Sequence, residues 1–240
     1  MKHTKLTINC DLGEGVLREE LLFPLIDVAS VACGGHYGDR ETLRETLKLA
    51  RKFGKRAGAH PSYPDRENFG RKTLSISHSE LIDSIRGQIR LFLEVAKELE
   101  IEADHIKFHG ALYNDAAENP QLAEVLIEFL AKEFPLTPLF VPPHSETEKL
   151  ALKKGLPVVR EIFGDRAYDE NYKLISRKLE NSLLISSEQV IPHLESILDQ
   201  HHILTYSGKL IPVEADTLCF HGDNPGIHDF LPLVRQKFWK

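Results

Sequence analysis

Residues 28–61 read VASVACGGHYGDRETLRETLKLARKFGKRAGAHP. A short apolar run, 28–32, ends in Cys33-Gly34-Gly35-His36-Tyr37-Gly38-Asp39. Asp39 is suited to cap a helix, residues 40–53 have helical character, and Gly54 is a natural stop. A second apolar run, 56–59, follows and ends in His60-Pro61. Apolar run, Gly-rich break, helix, apolar run is the unit of a parallel sheet, because parallel neighbours need a crossover between them.

The same unit recurs on both sides. Strands are expected at 6–10, 28–32, 56–59, 105–108, 139–141, 158–162 and 217–220. Ser77-His78-Ser79-Glu80 forms a capping box for a helix running to residue 99. Asn119-Pro120 supplies a cap and a first-turn proline for 121–133. A helix over 145–154 ends at Gly155. Ser186-Ser187-Glu188-Gln189 opens another, with Pro192 in its first turns, and Asn224-Pro225 precedes the last. Seven strands with intervening helices predict an α/β fold, an irregular seven-stranded β/α barrel in a single domain over 1–240. An open doubly wound sheet is the alternative. Its Rossmann form is disfavoured because no GxGxxG follows the first strand.

Composition narrows the function classes. The chain has 240 residues, 42% of them hydrophobic, and a formal charge of −6. It has no basic footprint for nucleic acid and none for an anionic membrane surface. Cys10, Cys33 and Cys219 lie far apart with no CxxC spacing, which argues against a disulfide framework or structural zinc and for a reducing compartment. Met1-Lys2-His3-Thr4-Lys5 leads into an apolar strand without a signal-peptide core, so a cytoplasmic location is expected. There is no P-loop, no GxSxG elbow and no HExxH.

The polar residues gather where strands end. The first strand runs into Asp11-Leu12-Gly13-Glu14-Gly15, the second reaches His36, and the third gives His60-Pro61. The fourth gives His109-Gly110, the sixth Gly164-Asp165-Arg166 and the seventh His221-Gly222-Asp223. In β/α barrels the reacting groups converge at the C-terminal strand ends. His36, His60, His109 and His221 with Asp11 and Glu14 therefore predict a functional cluster; a hydrogen-bonded polar plug is the plainer reading. Residues i and i+2 share a strand face, so Asn9 accompanies Asp11 and Lys107 accompanies His109. Polar residues there need partners. An Asp11–Lys107 ion pair and a catalytic lysine positioned by Asp11 both satisfy that need. His105 and His109 match HxxxH, but on a strand they stand about 13 Å apart and cannot chelate one ion.

The segment 61–71, PSYPDRENFGR, is polar and lacks strand or helix periodicity. Loops of this kind are commonly functional. Arg66 and Arg71 could grip a carboxylate or phosphate. Pairing within the loop, between its acids and its arginines, is the alternative.

These motifs together resemble the LamB/YcsF family, that of the 5-oxoprolinase A subunits. The resemblance rests on Asn9-Cys10-Asp11-Leu12-Gly13-Glu14, on 32–39 (ACGGHYGD), and most specifically on 58–71 (GAHPSYPDRENFGR). Residues 107–114 (KFHGALYN), 161–166 (EIFGDR) and 219–223 (CFHGD) extend it in the same order. Departures at Phe108, Ala167 and Ile175-Ser176 spare the ionisable residues.

The resemblance implies a barrel similar to the glycoside hydrolase/deacetylase superfamily. It also implies ATP-dependent opening of the 5-oxoproline lactam to L-glutamate, with ATP as co-substrate and the 5-oxoprolinase B and C subunits as partners. The expected catalytic set is Asp11, Glu14, His36, His60, Lys107, His109 and His221. Expected substrate or phosphate contacts are Asn9, Asp39, Asp65, Arg66, Asn68, Arg71, Tyr113, Asn114, Asp165, Arg166 and Asp223. No residue is assigned to a metal, and the presence of one is left open. Two rivals stand beside this reading: a metal-dependent deacetylase or amidohydrolase, and a non-catalytic subunit that binds substrate or regulates a partner.

Overall fold

The computed structural model describes residues 6–239; the stretch 1–5 discussed above lies outside them. The strands in chain order are β1 (Thr7–Leu12), β2 (Val28–Ala32), β3 (Arg56–His60), β4 (Ala103–Lys107), β5 (Leu139–Val141), β6 (Val158–Phe163), β7 (His202–Leu204), β8 (Leu210–Pro212) and β9 (Thr217–His221). The first six and β9 are parallel and close into a seven-stranded barrel. β9 pairs with both β6 and β1 and completes the ring. The helices are α1 (Arg40–Lys52), α2 (His78–Glu98), α3 (Gly110–Glu118), α4 (Pro120–Glu133), α5 (Glu146–Lys154), α6 (Ser187–Gln200) and α7 (Ile227–Phe238). The open-sheet alternative is excluded by the closed ring.

Strand parity sorts the residues. Ile8, Cys10 and Leu12 of β1 join Val31, Ala57, Ile106, Leu139, Ile162 and Leu218 in the apolar core. Asn9 and Asp11 point the other way, into the barrel, as alternation requires. There Asn9 donates to Thr217 Oγ1 at 2.9 Å, and Asp11 meets Lys107.

Lower in the barrel, His105 stands in place of the usual aliphatic filling. Its ring stacks on Phe140 at 3.9 Å and bonds Ser30 Oγ at 2.9 Å. A Cβ on Gly58 would lie 2.3 Å from that ring. The glycine is what leaves room for the imidazole. Gly58→Ala should therefore destabilise the fold by about 1–3 kcal/mol, the cost of overpacking a rigid core. A thermal melt that matched wild type would contradict this.

The structure refines several boundaries. Asp11, His60 and His221 are strand residues, not loop residues that follow strands. α3 did not announce itself in the sequence: it is nine residues long and buries only Leu112, Tyr113 and Ala116. β7 and β8 form a short antiparallel hairpin between α6 and β9, with no counterpart among the expected strands. The capping box at Ser77 and the caps at Asp39 and Asn119 form as expected, and Thr42 completes a capping box with Asp39. Among the described residues no helix is long and apolar enough to cross a membrane.

Candidate active site

Lys107 closes the floor of the site. Its side chain is 1% exposed, and Nζ lies 2.6 Å from Asp11 Oδ1, 2.9 Å from Glu161 Oε1 and 3.0 Å from Cys219 Sγ. Burial opposes the charge, but Asp11 foremost holds the ammonium well above its ordinary pKa. Burial likewise pushes Asp11 up, yet His60 and Lys107 outweigh it and hold the carboxyl well below its usual range. The expected Asp11–Lys107 ion pair is present.

Above Lys107 stand three histidines from three loops or strand ends. His60 Nε2 lies 3.0 Å from His109 Nδ1 and 3.4 Å from Asp11 Oδ2. His36 stacks face to face on His109, with centroids 3.6 Å apart, and its Nε2 bonds Glu14 Oε1 at 2.9 Å. Desolvation, with the neighbouring His109, pushes His36 down to about 4, so it is neutral at pH 7.

Glu14 reaches this group because the chain reverses at Gly13, whose φ of 74° suits glycine. The turn is held by Glu19, whose carboxylate accepts from the amides of Gly13 and Glu14. Burial lifts Glu19 to about 7, although those two amides act against it.

The fourth histidine belongs to a separate group. His221 adjoins Asp11 in register, but its Nδ1 bonds Asp165 at 2.9 Å and its ring stacks on Phe163 at 4.9 Å. Asp165 is fully buried and also accepts from the His221 amide and from Asn224. The four-histidine ring is thus a group of three plus an Asp165–His221 pair on the next strands.

The polar segment 61–71 folds over the mouth. His109 Nε2 donates to the carbonyl of Phe69 at 3.0 Å, and Gly70 O accepts from Ala111. Asp65 and Asn68 shape the loop internally: Asp65 Oδ1 accepts from both nitrogens of Asn68. Arg71 lies over the Phe69 ring and pairs with Asp223 at 2.5 Å; Arg177 reaches the same carboxylate at 3.3 Å.

Other expected contacts have structural partners. Arg66 donates to the carbonyls of Gly34 and Gly38, so it ties two loops together. Arg166 donates to Ser182 and Ile175 carbonyls and organises the segment after β6. Asp39 is exposed and caps α1 through the Glu41 and Thr42 amides. Asn114 donates to Gly110 O within α3. With Tyr113 and Phe163 it lines a cavity of about 390 Å³ beside the mouth. A larger cavity of about 1150 Å³ touches Leu6, Ala215 and Trp239, where β1 and β9 begin, and none of the histidine group.

Two residues at the centre escaped the sequence reading. Glu161 lies next to Lys107, and its signal was a carboxylate, beside Arg160, among the apolar residues Val158, Val159, Ile162 and Phe163 of β6. Cys219 shares register with Asn9, and the parity rule applied to β9 would have turned it inward. Burial raises its thiol well above the ordinary range, so it stays protonated.

The chain is 34% identical to the 5-oxoprolinase A subunit of Erwinia tasmaniensis over 98% of its own length and 96% of that protein's. The lactam utilization protein from Thermus thermophilus superimposes with a TM-score of 0.88 at 30% identity, covering 97% of this chain and 96% of that one. The LamB/YcsF family model matches residues 6–240. The barrel, its polar mouth and this end-to-end match make the chain a member of the LamB/YcsF family.

Proposed function

We propose that this chain is the A subunit of an ATP-dependent 5-oxoprolinase, working with B and C subunits to open the lactam of 5-oxoproline to L-glutamate. The similarity to a lactam utilization protein and to a 5-oxoprolinase A subunit supports the substrate class. The observation that carries the reading is Lys107, a buried cation fixed between two carboxylates at the floor of a histidine-lined mouth.

A lactam carbonyl is a poor electrophile. Transfer of the γ-phosphoryl group of ATP to its oxygen releases ADP and activates the carbon. Water then adds, the ring C–N bond breaks and the amine takes a proton. A second water releases phosphate and leaves the carboxylate. In this scheme Glu14, held by His36, accepts and returns protons, and His60 and His109 line the reacting centre. Lys107 stabilises the negative charge that develops on oxygen. Arg71, held near Asp223 at the loop, is the cation available to a phosphoryl or carboxylate group.

The test is ATP-dependent glutamate release from 5-oxoproline, measured with this chain alone and with its cognate partner subunits. Release from the complete mixture alone is expected. No release from a folded complete mixture would reject 5-oxoproline as the substrate.

A further inference from the structure

The hydrogen bonds around the three-histidine group fix its tautomers. His60 Nδ1 lies 2.9 Å from the backbone carbonyl of Lys107. A carbonyl only accepts, so Nδ1 carries the proton and Nε2 is bare in the neutral ring. His109 Nε2 lies 3.0 Å from the Phe69 carbonyl, so there Nδ1 is the bare nitrogen. These two lone pairs face each other at 3.0 Å. Asp11 Oδ2 stands 3.4 Å from the first. Glu14 Oε1 stands 3.3 Å from the second and 3.9 Å from the first. Three acceptors, the two bare nitrogens and Asp11 Oδ2, thus converge with no donor hydrogen among them, beside Glu14 Oε1, which accepts from His36; the arrangement needs a cation.

We propose that Asp11, His60 and His109 bind a divalent transition-metal ion of the zinc or cobalt class. The ligand atoms lie within 4.8 Å of one another. The 3.0 and 3.4 Å separations are close to the edge of a tetrahedron, about 3.3 Å for metal–ligand bonds near 2.05 Å. Both histidines give their second N–H to a backbone carbonyl, the outer contact that orients metal-binding imidazoles. Asp11 keeps Oδ1 on Lys107 and leaves Oδ2 for the ion. The Glu14 carboxylate, held by His36, borders the fourth position, where a water or a substrate oxygen would sit. Two imidazoles and a carboxylate suit zinc or cobalt better than magnesium or calcium. The HxxxH pair is not involved, since His105 is engaged with Ser30 and Asp104. This inference stands on the side-chain geometry and does not require the lactam reading.

The experiment uses the untagged chain alone, stripped with chelator and titrated with cobalt(II), without ATP or lactam. One equivalent per chain is expected, with the visible ligand-field absorption of low-coordinate cobalt and a raised melting temperature. His60→Gln and His109→Gln should each weaken binding by more than about 100-fold, beyond the 10–100-fold cost of losing an outer contact. Asp11→Asn, which keeps the shape, should weaken it too. His221→Asn should bind like wild type. Circular dichroism identifies any variant that is unfolded, and the conclusion is then read from the others. Folded wild-type chain that takes up neither cobalt nor zinc at about 0.1 mM, orders of magnitude weaker than structural zinc binding, would overturn the proposal and leave a shared proton between the two rings. Binding undiminished in the folded ligand variants would overturn it as well.

Discussion

Lys107→Met is expected to abolish measurable turnover of the assembled enzyme and to cost the chain about 3–5 kcal/mol of stability. The stability loss follows from burial: Asp11 and Glu161 would keep their charges in the barrel with no lysine between them, and breaking a buried pair costs that much. The rate loss follows, in the proposed scheme, from removing the ammonium that stabilises the developing negative charge, worth at least about 10²–10³ in kcat. Urea titration and steady-state glutamate release measure the two effects. The triple change Asp11→Asn, Glu161→Gln, Lys107→Met separates them, because it removes the stranded charges. It should recover much of the stability and none of the turnover. Recovery of turnover would mean that Lys107 is only a structural counter-ion.

His109→Ala should lower kcat by at least about 10²–10³, the range for losing a group that stabilises charge at the reacting centre. His109 also anchors the Phe69 carbonyl and stacks on His36. A residue that only held the loop closed would, on removal, raise KM and leave kcat nearly intact. A kcat equal to wild type in the assembled enzyme would therefore move His109 from the chemistry to loop positioning.

The fold was legible because its signals are local. The capping residues Asp39, Ser77 and Asn119 act within a turn, and alternation along β1 sends Ile8, Cys10 and Leu12 one way and Asn9 and Asp11 the other. Those rules depend on neighbours in the chain, so the chain alone displays them. α3 and the β7–β8 hairpin were not legible, because both are short and depend on packing against elements distant in sequence.

The candidate site divides along the same line. The residues at strand ends could be named from sequence, since each follows an apolar run in a recognisable motif. Apart from the Asp11–Lys107 pair, which strand parity suggested, their partners could not. Only barrel closure sets Lys107 between Asp11 and Glu161, whose positions lie far apart in the chain. Only the tertiary arrangement sends His221 to Asp165, Arg66 to two backbone carbonyls, and the bare nitrogens of His60 and His109 toward each other. The sequence by itself determined which side chains reach the mouth of the barrel, because strand period and helix caps are local. The structure alone decided which of them meet, because those contacts depend on strand register and on the loop folded over the histidines.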